Sequence, residues 1–314
     1  MTSRTDLRRV PVGAGQALPG HAYATLGRSD GEQGRASPAP TAFALDRITY
    51  LRRIGYRGPV EPTLEALSGI VLAQLRAVPF ENLDIVPLGR PLRLDPAGLF
   101  AKIVGERRGG YCFELNGLLA LLLEDLGFTV VRVACQFTEE GGYSDPFDHL
   151  ALIVTVPGAG EWLADVGSGR TSSAVPLEMP GSDGFGAPGL PDPADGRITR
   201  IERRGEAGFN WQMEPGGSWR ECLRFSFTPR TLDDFLPRSR VFETDPDNHF
   251  RQGPMCSRLT ANGRVSIRPG MLTITADGER TETHLVDDAA LRNSLITHFG
   301  IDLSRFVLEG EPVE

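Results

Sequence analysis

The stretch Arg107-Arg108-Gly109-Gly110-Tyr111-Cys112-Phe113-Glu114-Leu115-Asn116 sets a cysteine where charge and glycine give way to an apolar helical pattern. Leu118, Leu119, Leu122, Leu123 and Leu126 recur at helical spacing, and Gly127 follows as a C-terminal stop. Cys112 is therefore expected at a helix N-terminus. Unpaired backbone N–H groups and the positive end of the helix dipole favour an anion there, and so a nucleophilic thiolate. Gly109 and Gly110 let the backbone turn tightly beside the sulfur. The structural alternative is a cysteine serving as a small buried hydrophobe.

A cysteine nucleophile needs a base, and the base needs a third group to orient it. The chain has five histidines. His21 falls in a Gly/Pro-rich extension, His249 in a polar loop, and His284 and His298 in the last hairpin and helix, whereas His149 opens a strand directly after a turn-rich segment. In the next strand, Trp162-Leu163-Ala164-Asp165-Val166-Gly167 sets a carboxylate among apolar residues, where a charge needs a partner. An antiparallel pairing of these two strands brings His149 beside Asp165. Asp148 is the rival, but neighbours along a strand point to opposite faces. Asp165 has a structural alternative too, as a cap on the Gly167-Ser168-Gly169 turn.

These residues need elements to hold them. Helices are expected from Phe43 to Ile54, with Leu45, Ile48, Leu51 and Ile54 on one face, from Thr63 to before Pro79, and from Asp95-Pro96 to the glycine pair. With the Cys112 helix they make a helical first third. Short β-rich runs follow at 129–137, 150–156, 162–166, 197–201 and 223–227, reading as a sheet or barrel. The Gly/Pro/Asp tract at 180–196 reads as a mobile lid or a disordered insertion. Asn262-Gly263 and Asp277-Gly278 mark two hairpin turns, and a last helix spans 287–299. The resulting division is a disordered extension at 1–41, a helical bundle at 42–127, a β-barrel at 128–228 and an α/β lid at 229–314, in an α+β fold. The acidic tail from Leu308 is expected to fray.

With 314 residues the chain can bury a sizeable core, and its net charge of −8 argues against nucleic acid or an anionic membrane surface as the main partner. Four widely spaced cysteines, with no Cys-x-x-Cys pair, suit a reducing cytoplasm and predict neither a disulfide framework nor a metal site. No apolar run reaches the length of a membrane span.

Together, Arg108-Gly-Gly-Tyr-Cys112-Phe-Glu114-Leu-Asn116, Pro79-Phe80-Glu81-Asn82-Leu83-Asp84, His149 and Ala164-Asp165-Val166-Gly167 closely resemble the arylamine N-acetyltransferase family. The resemblance runs from about Phe43 to Ile301. It implies a papain-like cysteine-enzyme fold with a helical bundle, a central β-barrel and an α/β lid. It also implies acetyl transfer from acetyl-CoA to an arylamine or hydrazine through an acyl-cysteine, with acetyl-CoA as a substrate and no permanently bound cofactor. By residue match, Cys112 is the nucleophile, His149 the base and Asp165 its partner. Phe80 matches an aromatic position lining the acceptor pocket, with a core phenylalanine as the alternative, and Gly167, Ser168 and Gly169 match a substrate-binding segment. Arg108, Glu114 and Asn116 brace the helix start. The family usually carries an aromatic residue where this chain has Ser168, so a roomier or wetter site is expected. An amide synthase of the same fold, joining a polyketide thioester to an aromatic amine, is the alternative function.

Overall fold

The computed structural model describes residues 43–192, 196–214 and 217–306; the extension expected at 1–41 and the acidic tail lie outside them. Helix α1 spans Arg47–Ile54 and α2 Leu64–Ala77, capped by the side chains of Asp46 and Thr63. Helix α1 buries Tyr50 and Ile54, but Ile48, expected on its apolar face, is 58 % exposed. The difference follows from where the helix begins: 43–46 are not helical, so only two turns choose the face. The short strand β1 (Phe80–Glu81) precedes α3 (Pro96–Phe100), whose cap is Asp95 with proline at the first helical position.

The third helix does not run to the glycine pair as expected. It widens after Phe100 into a π-helical turn, closed by the Glu106 N–H donating to the Ala101 carbonyl at 2.7 Å. That wider turn carries Lys102 into the interior, where its ammonium lies 2.7 Å from Asp84 and 2.8 Å from Glu114. The chain then straightens through Arg107, which holds a left-handed φ of 57°, and enters α4 (Cys112–Asp125).

A curled antiparallel sheet follows, made of β2 (Thr129–Glu139), β3 (Gly142–Tyr143), β4 (His149–Val156), β5 (Gly160–Ala164), β6 (Leu177–Glu178), β7 (Gly184–Phe185), β8 (Thr199–Arg204), β9 (Ala207–Met213) and β10 (Trp219–Ser226). Their order is β6-β5-β4-β2-β10-β9-β8-β7, with β3 paired to the end of β2. The sheet curls until β6 contacts β8, giving a half-barrel filled by Val133, Cys135, Ile153, Leu163, Ile201 and Phe225. The other face of β4 packs on α4, where Leu150, Leu152 and Val154 meet Leu118, Leu119 and Leu122. The described part of the 180–196 tract is bonded along the sheet rather than forming a disordered insertion. Gly186 and Gly189 donate backbone hydrogen bonds to Ile201 and Thr199 at 2.9 and 2.7 Å, which lays the tract along β8. Strand β9, not expected from sequence, fills the sheet between β8 and β10.

Beyond the barrel, α5 (Leu236–Thr244) precedes β11 (Cys256–Leu259), β12 (Gly263–Arg268), β13 (Met271–Ala276), β14 (Glu279–His284) and α6 (Asp288–Phe299). These strands pair in order onto β1, so the last sheet is stitched to the segment just after α2. Asp277 and Gly278 take φ of 52° and 83°, the primed turn that suits a two-residue hairpin. The fold is α+β, as expected.

The loop before Cys112 is held by buried charge. Arg108, fully buried, sets its Nε and Nη2 on the two oxygens of Glu81 at 3.0 Å each, and Nη2 also lies 3.1 Å from Asp84. Glu81 accepts further bonds from the Gly109 and Leu83 N–H groups at 3.1 and 2.7 Å. Gly109 must be glycine, since a Cβ there would lie 1.9 Å from the Pro79 carbonyl oxygen. Glu114 accepts from the Tyr111 N–H at 3.1 Å, satisfying one donor at the helix start. Three carboxylates thus share two buried cations, with the partly exposed Arg90 3.9 Å from Asp84 at the edge, and burial lifts the Glu114 carboxyl to about 7 against the pull of Lys102. Removing one cation from such a cluster strands buried negative charge. Arg108→Met should therefore lower the unfolding free energy by about 3–5 kcal/mol in urea melts. A loss below about 1 kcal/mol would show that the loop is held by something else.

Candidate active site

Cys112 is the first residue of α4 and is 3 % exposed, at the wall of a cavity of about 220 Å³. His149, the first residue of β4, reaches the same cavity. Its Nε2 lies 2.8 Å from Asp165 Oδ2, and it shares the cavity wall with Cys112. The antiparallel pairing of β4 with β5 sets Leu152 opposite Ala164, and the chain continues one residue past β5 to bring Asp165 up to His149.

Asp165 is surrounded by donors. Its Oδ1 accepts from Asn116 Nδ2 and from the Gly167 N–H, both at 2.8 Å, and its Oδ2 accepts from the Ser168 hydroxyl. Burial pushes this carboxyl up, but His149, Ser168 and Asn116 outweigh it and hold it at about 2. Burial pulls the His149 imidazole down, but the Asp165 carboxylate outweighs that and, with the nearby Cys112, lifts it to about 10. Both shifts favour the imidazolium–carboxylate form of the pair. Asp148, the rival partner, is turned away to Arg238, whose Nη2 lies 2.6 Å from its Oδ1.

Asn116 ties the site to its scaffold. One turn after Cys112, its amide donates to the Leu150 carbonyl at 2.6 Å and to Asp165, while its oxygen accepts from the Val166 N–H at 2.9 Å. Gly167 passes so close to the nucleophile that a Cβ would lie 2.7 Å from the Cys112 Cα. Only glycine lets this segment close over the sulfur.

The other residues singled out from sequence, Phe80, Gly167, Ser168 and Gly169, all line the Cys112 cavity. Ser168 does more than leave space: its hydroxyl also lies 3.2 Å from His149 Nε2, so it is bound into the histidine–aspartate pair. Residues that the sequence reading passed over complete the wall. Phe137 stands with its ring centre 5.4 Å from that of His149, and His249 and Phe250 close another side, with burial pulling the His249 imidazole down. Segment 232–251 had no strong apolar period to announce it. It supplies Phe235, Phe242 and Phe250 to an aromatic cluster around Tyr111 and Phe113, and Ser239, 2.8 Å from the Tyr111 hydroxyl. Among the described residues no group of three or more His, Cys, Asp or Glu side chains could hold a metal ion, and no helix is long and apolar enough to cross a membrane.

Comparison with known proteins gives the site its context. The family model described as N-acetyltransferase matches residues 63–307. The arylamine N-acetyltransferase of Mycolicibacterium smegmatis is 34% identical over 266 residues, covering 83% of this chain and 94% of that protein. The structure of the M. smegmatis enzyme superposes with a TM-score of 0.75 over 86% of this chain and 96% of that one. The structure of the Mycobacterium marinum arylamine N-acetyltransferase in complex with CoA gives a TM-score of 0.74 at 31% identity, covering 84% and 96%. The helical bundle, curled barrel and C-terminal α/β portion match the papain-like architecture of these enzymes. Matched over most of its length by the family model and by these relatives, the chain belongs to the arylamine N-acetyltransferase family.

Proposed function

We propose that this protein moves an acetyl group from acetyl-CoA to the nitrogen of an arylamine or hydrazine, with Cys112 as nucleophile, His149 as acid and base, and Asp165 as its orienting partner. The observation that carries the reading is the convergence of a helix-start cysteine and a paired histidine on one cavity. The Cys112 sulfur attacks the thioester carbonyl, the bond to the coenzyme sulfur breaks, and His149 gives its proton to the departing thiolate. The neutral imidazole then takes the proton of the amine as its nitrogen attacks the acyl-cysteine, and Cys112 leaves as thiolate. Backbone N–H groups at the start of α4 are suited to the developing oxyanion. Asp165 keeps the imidazole in one tautomer and stabilises its cation. The relatives compared above are named for acetyl transfer, and none supports the amide-synthase alternative.

Intact-protein mass spectrometry after mixing with acetyl-CoA should show one added acetyl group that an arylamine discharges and that Cys112→Ala lacks. An unmodified mass, in protein whose Cys112 still alkylates, would sink the reading.

Iodoacetamide near pH 7 should label Cys112 before the other three cysteines. Burial pushes the Cys135 and Cys256 thiols well up and raises Cys222 as well. Peptide mapping that found Cys222 modified first would contradict this.

Asp165→Asn should slow acylation by about 10²–10⁴-fold, through loss of the oriented imidazole. The pair also carries stability. His149, raised from 6.5 to about 10, contributes fully below pH 6.5 and loses that contribution as pH rises through 10. Asp165, lowered from 3.8 to about 2, contributes above pH 3.8 and loses it as pH falls through 2. The stability gap between wild type and Asp165→Asn in urea melts should thus narrow from pH 6.5 to 10. A gap that widened over that range would contradict the charge assignment.

A further inference from the structure

A second hollow, of about 540 Å³, lies away from the Cys112 cavity and shares no lining residue with it. Four of its ten lining residues are arginines: Arg53 from α1, Arg76 from α2, Arg107 from the loop before Cys112, and Arg258 from β11. No carboxylate lines it, and among the described residues none of the four is within ion-pairing distance of one.

Two of these guanidinium groups are fixed by backbone carbonyls. Arg53 donates to Ile103, Ala77, Arg107 and Arg108 at 2.9–3.1 Å. Arg258 donates to the Arg76 and His298 carbonyls at 3.1 and 2.6 Å, and its Nε is buried with no hydrogen-bond partner. The other two, Arg76 and Arg107, have exposed side chains. Arg107 sits in the left-handed region at φ 57°, a conformation an arginine adopts at a cost, of the kind that clusters at binding sites. The C-terminal end of α2, whose carbonyls Arg53 and Arg258 cap, supplies roughly half a negative charge. Four positive charges exceed it several-fold. Burial first, and then the neighbouring Arg107 and Arg258, pull the Arg53 guanidinium down to about 10.

We propose that this four-arginine hollow binds a phosphate group. The exposed guanidinium forks of Arg76 and Arg107 match phosphate oxygens in pairs, Arg53 and Arg258, held by carbonyls, add positive charge, and Ile54, Leu72 and Ala73 give the hollow an apolar lining for an organic remainder. Because Arg53 grips the carbonyls of Arg107 and Arg108, an occupant tightens the loop that carries Cys112. The inference does not depend on the acetyl-transfer reading.

The test is a ³¹P NMR titration of the full chain with inorganic phosphate at constant ionic strength, repeated with a sugar monophosphate. The comparison variant is Arg76→Ala combined with Arg107→Gly. Glycine suits the positive φ and Arg76 is exposed on its helix, so the fold is spared, as circular dichroism would verify. Wild type should bind with a dissociation constant of about 1 mM or tighter, and the variant at least about 10-fold more weakly. Tighter binding of the sugar monophosphate identifies an organic phosphate as the occupant; tighter binding of phosphate itself identifies the free anion. Absent binding, or equal binding by wild type and variant, would overturn the proposal. So would displacement of phosphate by acetyl-CoA from Cys112→Ala protein, since the hollow would then belong to the donor.

Discussion

A helix that begins at a nucleophile deep in the protein brings unpaired backbone N–H groups with it, and each must be met or left for the substrate. The first turn of α4 meets this constraint with charge drawn from three separate stretches of chain. Glu114 takes the Tyr111 N–H, Lys102 meets Glu114, Asp84 joins Lys102 to Arg108, and Arg108 closes on Glu81. Every group in that chain is nearly buried, so each is costly without its neighbour. The π-helical turn at 101–105 belongs to the same solution, because it carries Lys102 inward.

The cluster also explains how the two sheets come to share one site. Glu81 sits on β1, which pairs with β11, so the charges that fix the Cys112 loop also anchor the last sheet. That sheet contributes Ser257, Ser266 and Ile267 to the cavity wall. On the opposite side Asn116 binds α4 to the Leu150 carbonyl and the Val166 N–H, locking the nucleophile's helix to the strands carrying His149 and Asp165. The nucleophile is thus referenced to both sheets by polar bonds, while Leu118, Leu119 and Leu122 supply the apolar contact that presses α4 on β4.

Much of this was legible in the chain because local chemistry and tertiary role agree. Thr63, Asp95 and Asp287 read as the starts of their helices, and each caps the helix that follows. Cys112, His149 and Asp165 read as one site because residue type, order and strand spacing converge; His149 is bonded to Asp165 and lines the same cavity as Cys112. The misses are places where tertiary contact overrides local pattern. Ile48 lies on the apolar stripe yet faces solvent, since α1 starts late and turns Tyr50 inward. The 180–196 tract has loop composition, but it bonds along β8 through backbone groups that composition does not report. His249 and Phe250 sit in a polar-looking segment, and only the long-range packing of Phe242 and Phe250 on Tyr111 brings them to the cavity.

Ser168 shows how a single side chain can change its role with its surroundings. As a replacement for an aromatic residue it promised space, but its hydroxyl is bonded to Asp165 and lies close to His149. Asp165 therefore has four donors on two oxygens, more than are needed to orient one imidazole. Their combined effect is to keep this carboxylate ionised despite burial, whereas Glu114, with Lys102 and the Tyr111 N–H as its partners, is lifted by the same burial. Asp148, adjacent to His149 in sequence, is committed to Arg238. Three carboxylates close to one nucleophile are thus sorted by their donors. Only the one shielded by neutral hydroxyl, amide and backbone groups has its full charge available to the imidazole, because none of those groups brings a competing positive charge.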